Sequence, residues 1–259
     1  MNTAKMVELS DNGFCILKNQ IEPLWLEKLR LAAEEAFVTH RKIQLENDSD
    51  VNCEGVALNV LGKDPVFLDF LSGLRSIKVL DDIEKYYFKC KFILNSFSAL
   101  NNIPEKMNFS GEIHRDSRFF SGMANTMLNM LVLLDDFTEE NGPTLLFPDS
   151  HIVEEKPSVE DFEKKSIKIL GQAGDILLFN SNMWHSSSYN NTNSQRRALP
   201  LTFSIPALRQ LFDYPKAIGD DIIDKLDTEM QQLLGYHSQP PSTLEEWYQP
   251  QHKRSVRIY

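Results

Sequence analysis

The sequence predicts an α+β chain with an all-β core and helical additions, arranged as a helix-backed antiparallel barrel or sandwich. Three observations lead there. Apolar residues recur at helical spacing up to about residue 88, short apolar runs separated by Gly and Asn turns fill residues 89 to 210, and helical periodicity returns in the tail. A chain of 259 residues fits one domain. Its parts are N-terminal helices over about 20–88, a strand-rich core over about 89–210, and a C-terminal helix and tail over 211–259.

Taken in order, Ser10 to Lys18 reads as a turn into a short strand. Pro23 suits the first turn of a helix whose Leu26, Leu29, Ala33 and Phe37 lie at helical spacing. Residues 39–64 are rich in Asn and Asp and read as a long loop near a pocket mouth. Asp64-Pro65 starts a second short helix through Leu71, and residues 76–88 suit a third. Phe92 to Ser98 is a strand, and Met127 to Leu134 is the continuous apolar run expected of a central one. Asn129 interrupts that run; a buried amide needs a partner, so it is either a satisfied core group or a pocket group reaching a cosubstrate.

Further short strands are expected at Ile167–Leu170, Ile176–Asn180, Trp184–Tyr189 and Ala198–Ile205. A last helix runs from Asp221 to Leu234, with Ile222, Leu226, Met230 and Leu233 on one face and Gly235 as its stop. Tyr236 to Tyr248 should be extended, with its aromatic residues packed on the core.

Composition narrows the function classes. With 42% hydrophobic and 25% charged residues the chain can bury a full core. A net charge of -10 argues against generic binding to nucleic acid or anionic membrane, because phosphate attraction needs a basic face. Met1 to Ser10 is too polar for a signal peptide and no run has the length of a membrane span, so a cytoplasmic protein is expected. Cys15, Cys53 and Cys90 are odd in number and scattered, as reduced thiols would be.

The chemistry concentrates at Glu112 to Asp116. In an extended strand His114 and Asp116 point to one face while Arg115 looks away. His185, after the Gly174-Asp175 turn and an apolar strand, is the candidate third member of a 2-His-1-carboxylate triad. Such a triad leaves open positions on Fe(II) for a bidentate cosubstrate and O2. No thiol lies near it in sequence, which disfavours structural zinc. Arg196, eleven residues after His185, can receive the far carboxylate of 2-oxoglutarate through a planar fork. Arg197 is adjacent, so strand alternation lets only one of the two face the pocket. Arg115 and Arg118 read as surface or salt-bridging cations, with substrate contact as the alternative. His151 reads as structural, and His40, His237 and His252 as solvated or core residues.

Several words resemble those of the phytanoyl-CoA dioxygenase family of iron- and 2-oxoglutarate-dependent oxygenases. They are His114-Arg115-Asp116, Leu133–Thr144, Phe147–His151, Gly174–Phe179, His185–Ser187 and Asn190–Leu199. One word departs: Asp149 stands where the family usually has glycine, which can alter the loop beside the pocket. The resemblance implies a double-stranded β-helix core, the jelly-roll or cupin-like barrel. It implies iron on His114, Asp116 and His185, and 2-oxoglutarate on Arg196 with Ser187 as a hydroxyl partner. The family's spacing from the second histidine implies Arg196 rather than Arg197. The carboxylate of Asp116 favours hydroxylation, since related halogenases lack it.

The activity so implied oxidises a substrate C–H bond with release of succinate and CO2. No phosphate or coenzyme A cradle is visible, so a small-molecule metabolite or natural-product intermediate is expected as substrate. The alternatives are a fatty acyl-CoA hydroxylase and a low-turnover sensor binding metal and 2-oxoglutarate; retention of all three ligands and the arginine weighs against the sensor. A hydroxylase of protein or nucleic acid is disfavoured by the acidic balance. Substrate selectivity is expected in the 39–64 segment, through Asn47, Asp48, Asn52 and Glu54, together with Arg118 and the loop near Asn101.

Overall fold

The computed structural model describes residues 3–49, 53–62, 65–104, 106 and 109–250, and Asn52, Asp64 and His252 lie outside them. The N-terminal half of the chain starts with α1 (Thr3–Asn12), β1 (Phe14–Leu17), α2 (Pro23–Glu46) and β2 (Val56–Ala57). Then come α3 (Pro65–Ser76), α4 (Val79–Asp82) running into a π-helical turn at Ile83–Phe88, β3 (Ile93–Phe97) and β4 (Ala99–Asn102). The core continues with β5 (Met127–Leu133), β6 (Thr144–Leu146), α5 (Val159–Lys165), β7 (Ile167–Lys168), β8 (Ile176–Asn180), β9 (His185–Ser187) and β10 (Arg196–Ser204). Short helices α6 (Tyr214–Ile218), α7 (Asp220–Ile223), α8 (Thr228–Leu233) and α9 (Leu244–Trp247) close the described chain.

Every strand pairing is antiparallel. A seven-stranded sheet runs β1-β8-β5-β10-β4-β2, with β3 also on β10, and a three-stranded sheet runs β7-β6-β9. Strand parity then divides the core in two. Met130 and Val132 of β5, Leu178 of β8 and Leu201 of β10 pack with Leu26, Leu29, Phe67 and Leu71 of α2 and α3. Leu131, Leu133, Leu177 and Ala198 face the other way, onto Phe137, Leu146 and Ile169 beside the small sheet. Helices, large sheet and small sheet thus form three layers, and the large sheet is covered on both faces. That explains why β5 is apolar at every position but Asn129.

The observed fold is mixed α/β with a mostly antiparallel core and helices against it, as expected at that coarser level. Several elements differ. The helix starting at Pro23 does not stop near residue 39 but continues to Glu46, into the segment expected to be loop. Its last turns face solvent, with Val38, Ile43 and Leu45 about half or more exposed, so no core-facing stripe announced them. Helix α1, the short strands β4 and β6, and α5 were not expected. Helix α5 carries a local signal: the Ser158 hydroxyl accepts from the Asp161 N–H at 3.1 Å, with acids in the first turn and lysines in the last. The second helix runs past Leu71 to Ser76, and the expected third is helical from Val79 to Phe88, set off from it by Lys78 at φ 62°.

The C-terminal helix expected over residues 221–234 is two helices. Asp227 caps α8 by accepting from the Met230 N–H at 2.8 Å and interrupts the run, while Gly235 takes the stop position at φ 87°. The tail is helical at α9 rather than extended, and Trp247 and Tyr248 are exposed rather than packed on the core. No helix among the described residues is long and apolar enough to cross a membrane. None of Cys15, Cys53 and Cys90 forms a disulfide.

Candidate metal and cosubstrate site

The site begins with one isolated β-bridge. His114 N–H donates to the His185 carbonyl at 3.0 Å and His185 N–H to the His114 carbonyl at 2.8 Å, which sets the two imidazoles side by side, ring centroids 4.2 Å apart. The expected extended strand at residues 112–116 is absent; a single bridge is enough to hold the parity. Asp116 lies two residues on, in a bend, with Oδ1 3.7 Å from His114 Nε2 and Oδ2 3.5 Å from His185 Nε2. Ligand atoms of the three residues all lie within 4.8 Å of one another.

Both histidines are held in the same way. His114 Nδ1 lies 2.7 Å from the Glu112 carbonyl and His185 Nδ1 3.0 Å from the Met183 carbonyl. A carbonyl oxygen can only accept, so each Nδ1 carries a proton, and Nε2 is the ring nitrogen that each histidine turns toward Asp116. Burial is the largest influence on His185 and holds its imidazole far below the usual range, Asp116 pulling in the opposite direction, so the ring is neutral. Asp116 is in turn fixed from behind. Asn129 Nδ2 donates to Asp116 Oδ2 at 2.6 Å, and Thr202 donates to Asn129 Oδ1 at 3.1 Å across the β5–β10 register.

The loop after Asp116 is tied to the turn before His185. Ser117 N–H donates to the Ser181 carbonyl at 3.1 Å and Asn182 Nδ2 to Ser121 Oγ at 3.0 Å. Arg115 points away, as alternation requires: it donates to the Val153 carbonyl at 2.8 Å and stacks 4.1 Å above the Trp184 ring. A substrate role for Arg115 is therefore set aside, and exposed Arg118 does not line the cavity.

Alternation on β10 also separates the two arginines. Arg197 pairs with Asp135 through two bonds of 2.8 and 2.9 Å and with Glu34 at 3.0 Å. Arg196 turns inward and is only 4% exposed. Its Nη2 donates to the Gly142 carbonyl, its plane lies 4.3 Å from the Phe137 ring, and its buried Nε has no partner. No carboxylate among the described residues comes within 4 Å of it, and burial pushes its guanidinium down to about 9. It remains charged at neutral pH, an incompletely compensated cation facing a cavity.

That cavity, about 310 Å³, is lined by both histidines, Asp116, Asn129, Ser187 and Arg196 together. Ser187 Oγ lies 2.8 Å from Ser110 Oγ. Asn129 is thus a satisfied group, bonded to Asp116 and Thr202, that also lines the cavity. Sequence reading missed Asn102, Ser110, Thr144 and Thr202 in the same wall. Strand parity was the available signal: Asn102 lies opposite Arg196, and Thr202 lies opposite Asn129.

The expected selectivity segment contributes differently from its reading. Leu58 and Asn59 line the cavity, whereas Asn47, Asp48 and Glu54 do not. Asn101 is also outside the lining, its amide donating to Gln195 at 2.9 Å. His151 is buried away from the triad, and Asp149 holds φ 58°, the left-handed conformation glycine would supply, so the turn shape is kept.

The family profile described as Phytanoyl-CoA dioxygenase (PhyH) matches residues 9–198. Uncharacterized protein Rv1501 of Mycobacterium tuberculosis is 30% identical over 208 residues, 78% of this chain and 75% of that protein. Dioxygenase trt7 of Aspergillus terreus is 27% identical over 152 residues, 56% of this chain and 52% of its own length, so the chain spans about half of that relative. The crystal structure of EvdMO1 aligns with TM-score 0.60 at 17% identity, over 78% of this chain and 50% of that one. That of AviO1 from Streptomyces viridochromogenes Tue57 aligns with TM-score 0.57 at 18% identity, over 80% and 96%. At such identities the two structures speak to the fold alone.

Proposed function

The chain belongs to the phytanoyl-CoA dioxygenase family, and from that premise we propose that it is an Fe(II)- and 2-oxoglutarate-dependent dioxygenase that oxidises a C–H bond of a small molecule. The observation that carries this reading is the pairing of two features in one cavity: a His-Asp-His donor set and a buried guanidinium with an unpartnered Nε. The donor set suits Fe(II), because two imidazole lone pairs and one carboxylate leave open positions, and no thiol belongs to the group. The orphaned Nε suits a dicarboxylate cosubstrate, since a planar guanidinium fork matches a carboxylate with two parallel bonds.

On this reading His114, Asp116 and His185 would hold the metal, and the bound metal with 2-oxoglutarate and O2 would supply oxidation, giving succinate, CO2 and hydroxylated product. The chain's own residues bind and orient. Arg196 neutralises the distal carboxylate, and Ser187 offers a hydroxyl beside it. The carbonyls of Glu112 and Met183 keep the ring protons on Nδ1. Asn129 holds one Asp116 oxygen and so turns the carboxylate toward the histidines. Occupation of that position by a carboxylate favours hydroxylation over halogenation. Phe179 and Leu131 give the wall apolar surface that limits water.

We also read the two antiparallel sheets as the double-stranded β-helix of this oxygenase class, and the chain as one functional unit in the cytoplasm. One hydrophobic cluster spanning Met6 to Leu234 supports the single unit. The test is direct. Protein reconstituted with Fe(II) should convert 2-oxoglutarate to succinate in an O2-dependent manner even without substrate, and His185→Ala should abolish it. If the metal-loaded protein neither binds nor consumes 2-oxoglutarate, the reading is wrong.

A further inference from the structure

The cavity is longer than the pair of sites just described. Arg196, Pro200 and Thr202 all line it from β10, and at about 3.3 Å per residue Arg196 and Thr202 stand about 20 Å apart along the strand. The neighbouring strands repeat the order: Asn102 lies opposite Arg196, and Ser96 lies opposite Thr202. Asp116 joins the Thr202 end through Asn129, and the compartment of the same cavity on this side is bounded by Ser96, Ser98, Pro200, Leu58 and Leu211.

The charge inventory of this cavity is short. Among the described residues its ionisable lining groups are His114, Asp116, His185 and Arg196. All four are taken if metal and 2-oxoglutarate bind as read above. Among the described residues this compartment then offers no cation, and an anion entering it would lose hydration without a partner from them. Its mouth is apolar, for Leu58 and Leu211 are 49% and 56% exposed there.

Two hydroxyls inside have complementary vacancies. Thr202 spends its proton on Asn129, so its lone pairs remain to accept. Ser98 accepts from the Asn59 N–H at 3.3 Å, so its proton remains to donate. We infer that this compartment is the substrate subsite and that it takes an uncharged, largely apolar molecule carrying hydroxyl or carbonyl groups, not a carboxylate, a phosphate or a coenzyme A thioester. The inference rests on the assignment of Arg196 to 2-oxoglutarate.

Two fluorescent probes with the same ring skeleton test it: neutral N-phenyl-1-naphthylamine and its sulfonated counterpart, anilinonaphthalene sulfonate. Both are titrated without O2 into protein holding Fe(II) and 2-oxoglutarate, whose own affinity is measured in the same samples. The neutral probe should bind about tenfold tighter or better. Ser96→Lys should reverse the preference, and Leu58→Trp, at the exposed mouth, should weaken the neutral probe without touching the core. A sulfonate that binds equally or better with 2-oxoglutarate in place overturns the substrate inference alone, as does neutral-probe binding indifferent to both variants. If 2-oxoglutarate fails to bind and the sulfonate is captured through Arg196, both readings fall.

Discussion

A guanidinium buried without a carboxylate is costly to keep, which makes Arg196 the most informative residue of the chain. Replacing it with alanine removes the cation but leaves the metal ligands untouched. Arg196→Ala should therefore weaken 2-oxoglutarate by about 30- to 1000-fold, or about 2–4 kcal/mol, with little change in metal affinity. Calorimetric titration of 2-oxoglutarate into metal-loaded variant and parent checks this, and equal affinities would move the role elsewhere. Asn129 makes a contrasting prediction. Its amide holds Asp116 from behind, and loss of such a partner commonly costs 10- to 100-fold in metal affinity. Asn129→Ala should accordingly weaken metal by about that factor, while Thr202→Val, one bond further out, should do less; competition against a chelator of known affinity reads both. At this scale strand parity made much of the site legible, separating Arg196 from Arg197 and turning Arg115 outward. The role of Asn129 was not legible, because its partner lies on a loop thirteen residues away whose course the sequence does not encode locally.

Elements show where sequence reading works and where it stops. Strands β3, β5, β8 and β10 announce themselves because the large sheet is covered on both faces, so apolar residues dominate them with only a few polar interruptions. Strand β6, three residues long, and the bridge at His114 have too few residues for any period to be visible. The last turns of α2 lack an apolar stripe and rest on propensity and on the helix already formed, and the Asn and Asp that gave the segment its loop reading lie beyond Glu46. The turn before β6 yields a test of its own. Gly142 sits at φ 78°, its carbonyl accepts from Arg196 and from Asn102, and a Cβ there would meet the Asn102 amide and the Ser188 carbonyl. Gly142→Ala should cost about 1–3 kcal/mol in urea unfolding and also weaken 2-oxoglutarate, because the carbonyl that holds Arg196 must move. A variant that lost stability yet bound 2-oxoglutarate normally would separate the turn from the site.

For the molecule as a whole, the layers that build the cavity also bury histidines, and this makes stability depend on pH. Burial lowers His185, His151 and His40 below the usual histidine range. An unfolded chain binds those protons near pH 6.5, whereas the folded chain resists them until lower pH. Protons are therefore taken up on unfolding below that point, so the contribution is complete above pH 6.5 and declines as pH falls through the lowered folded values. Asp135 and Asp175 act with the same sign further down. Despite the opposing cost of burial, their bonds to Arg197 and to Lys18 keep the carboxyls low, and that contribution is lost only below the ordinary carboxylate range. A metal on the neutral imidazoles would add stability by mass action and surrender it to protons over the histidine window. Metal-free protein should thus show a falling urea midpoint between pH 7.5 and pH 5, and Fe(II) held without O2 should raise the midpoint at pH 7.5 much more than at pH 5. A metal-free midpoint that stays level across this range would mean that the buried imidazoles find protons as easily in the fold as in water.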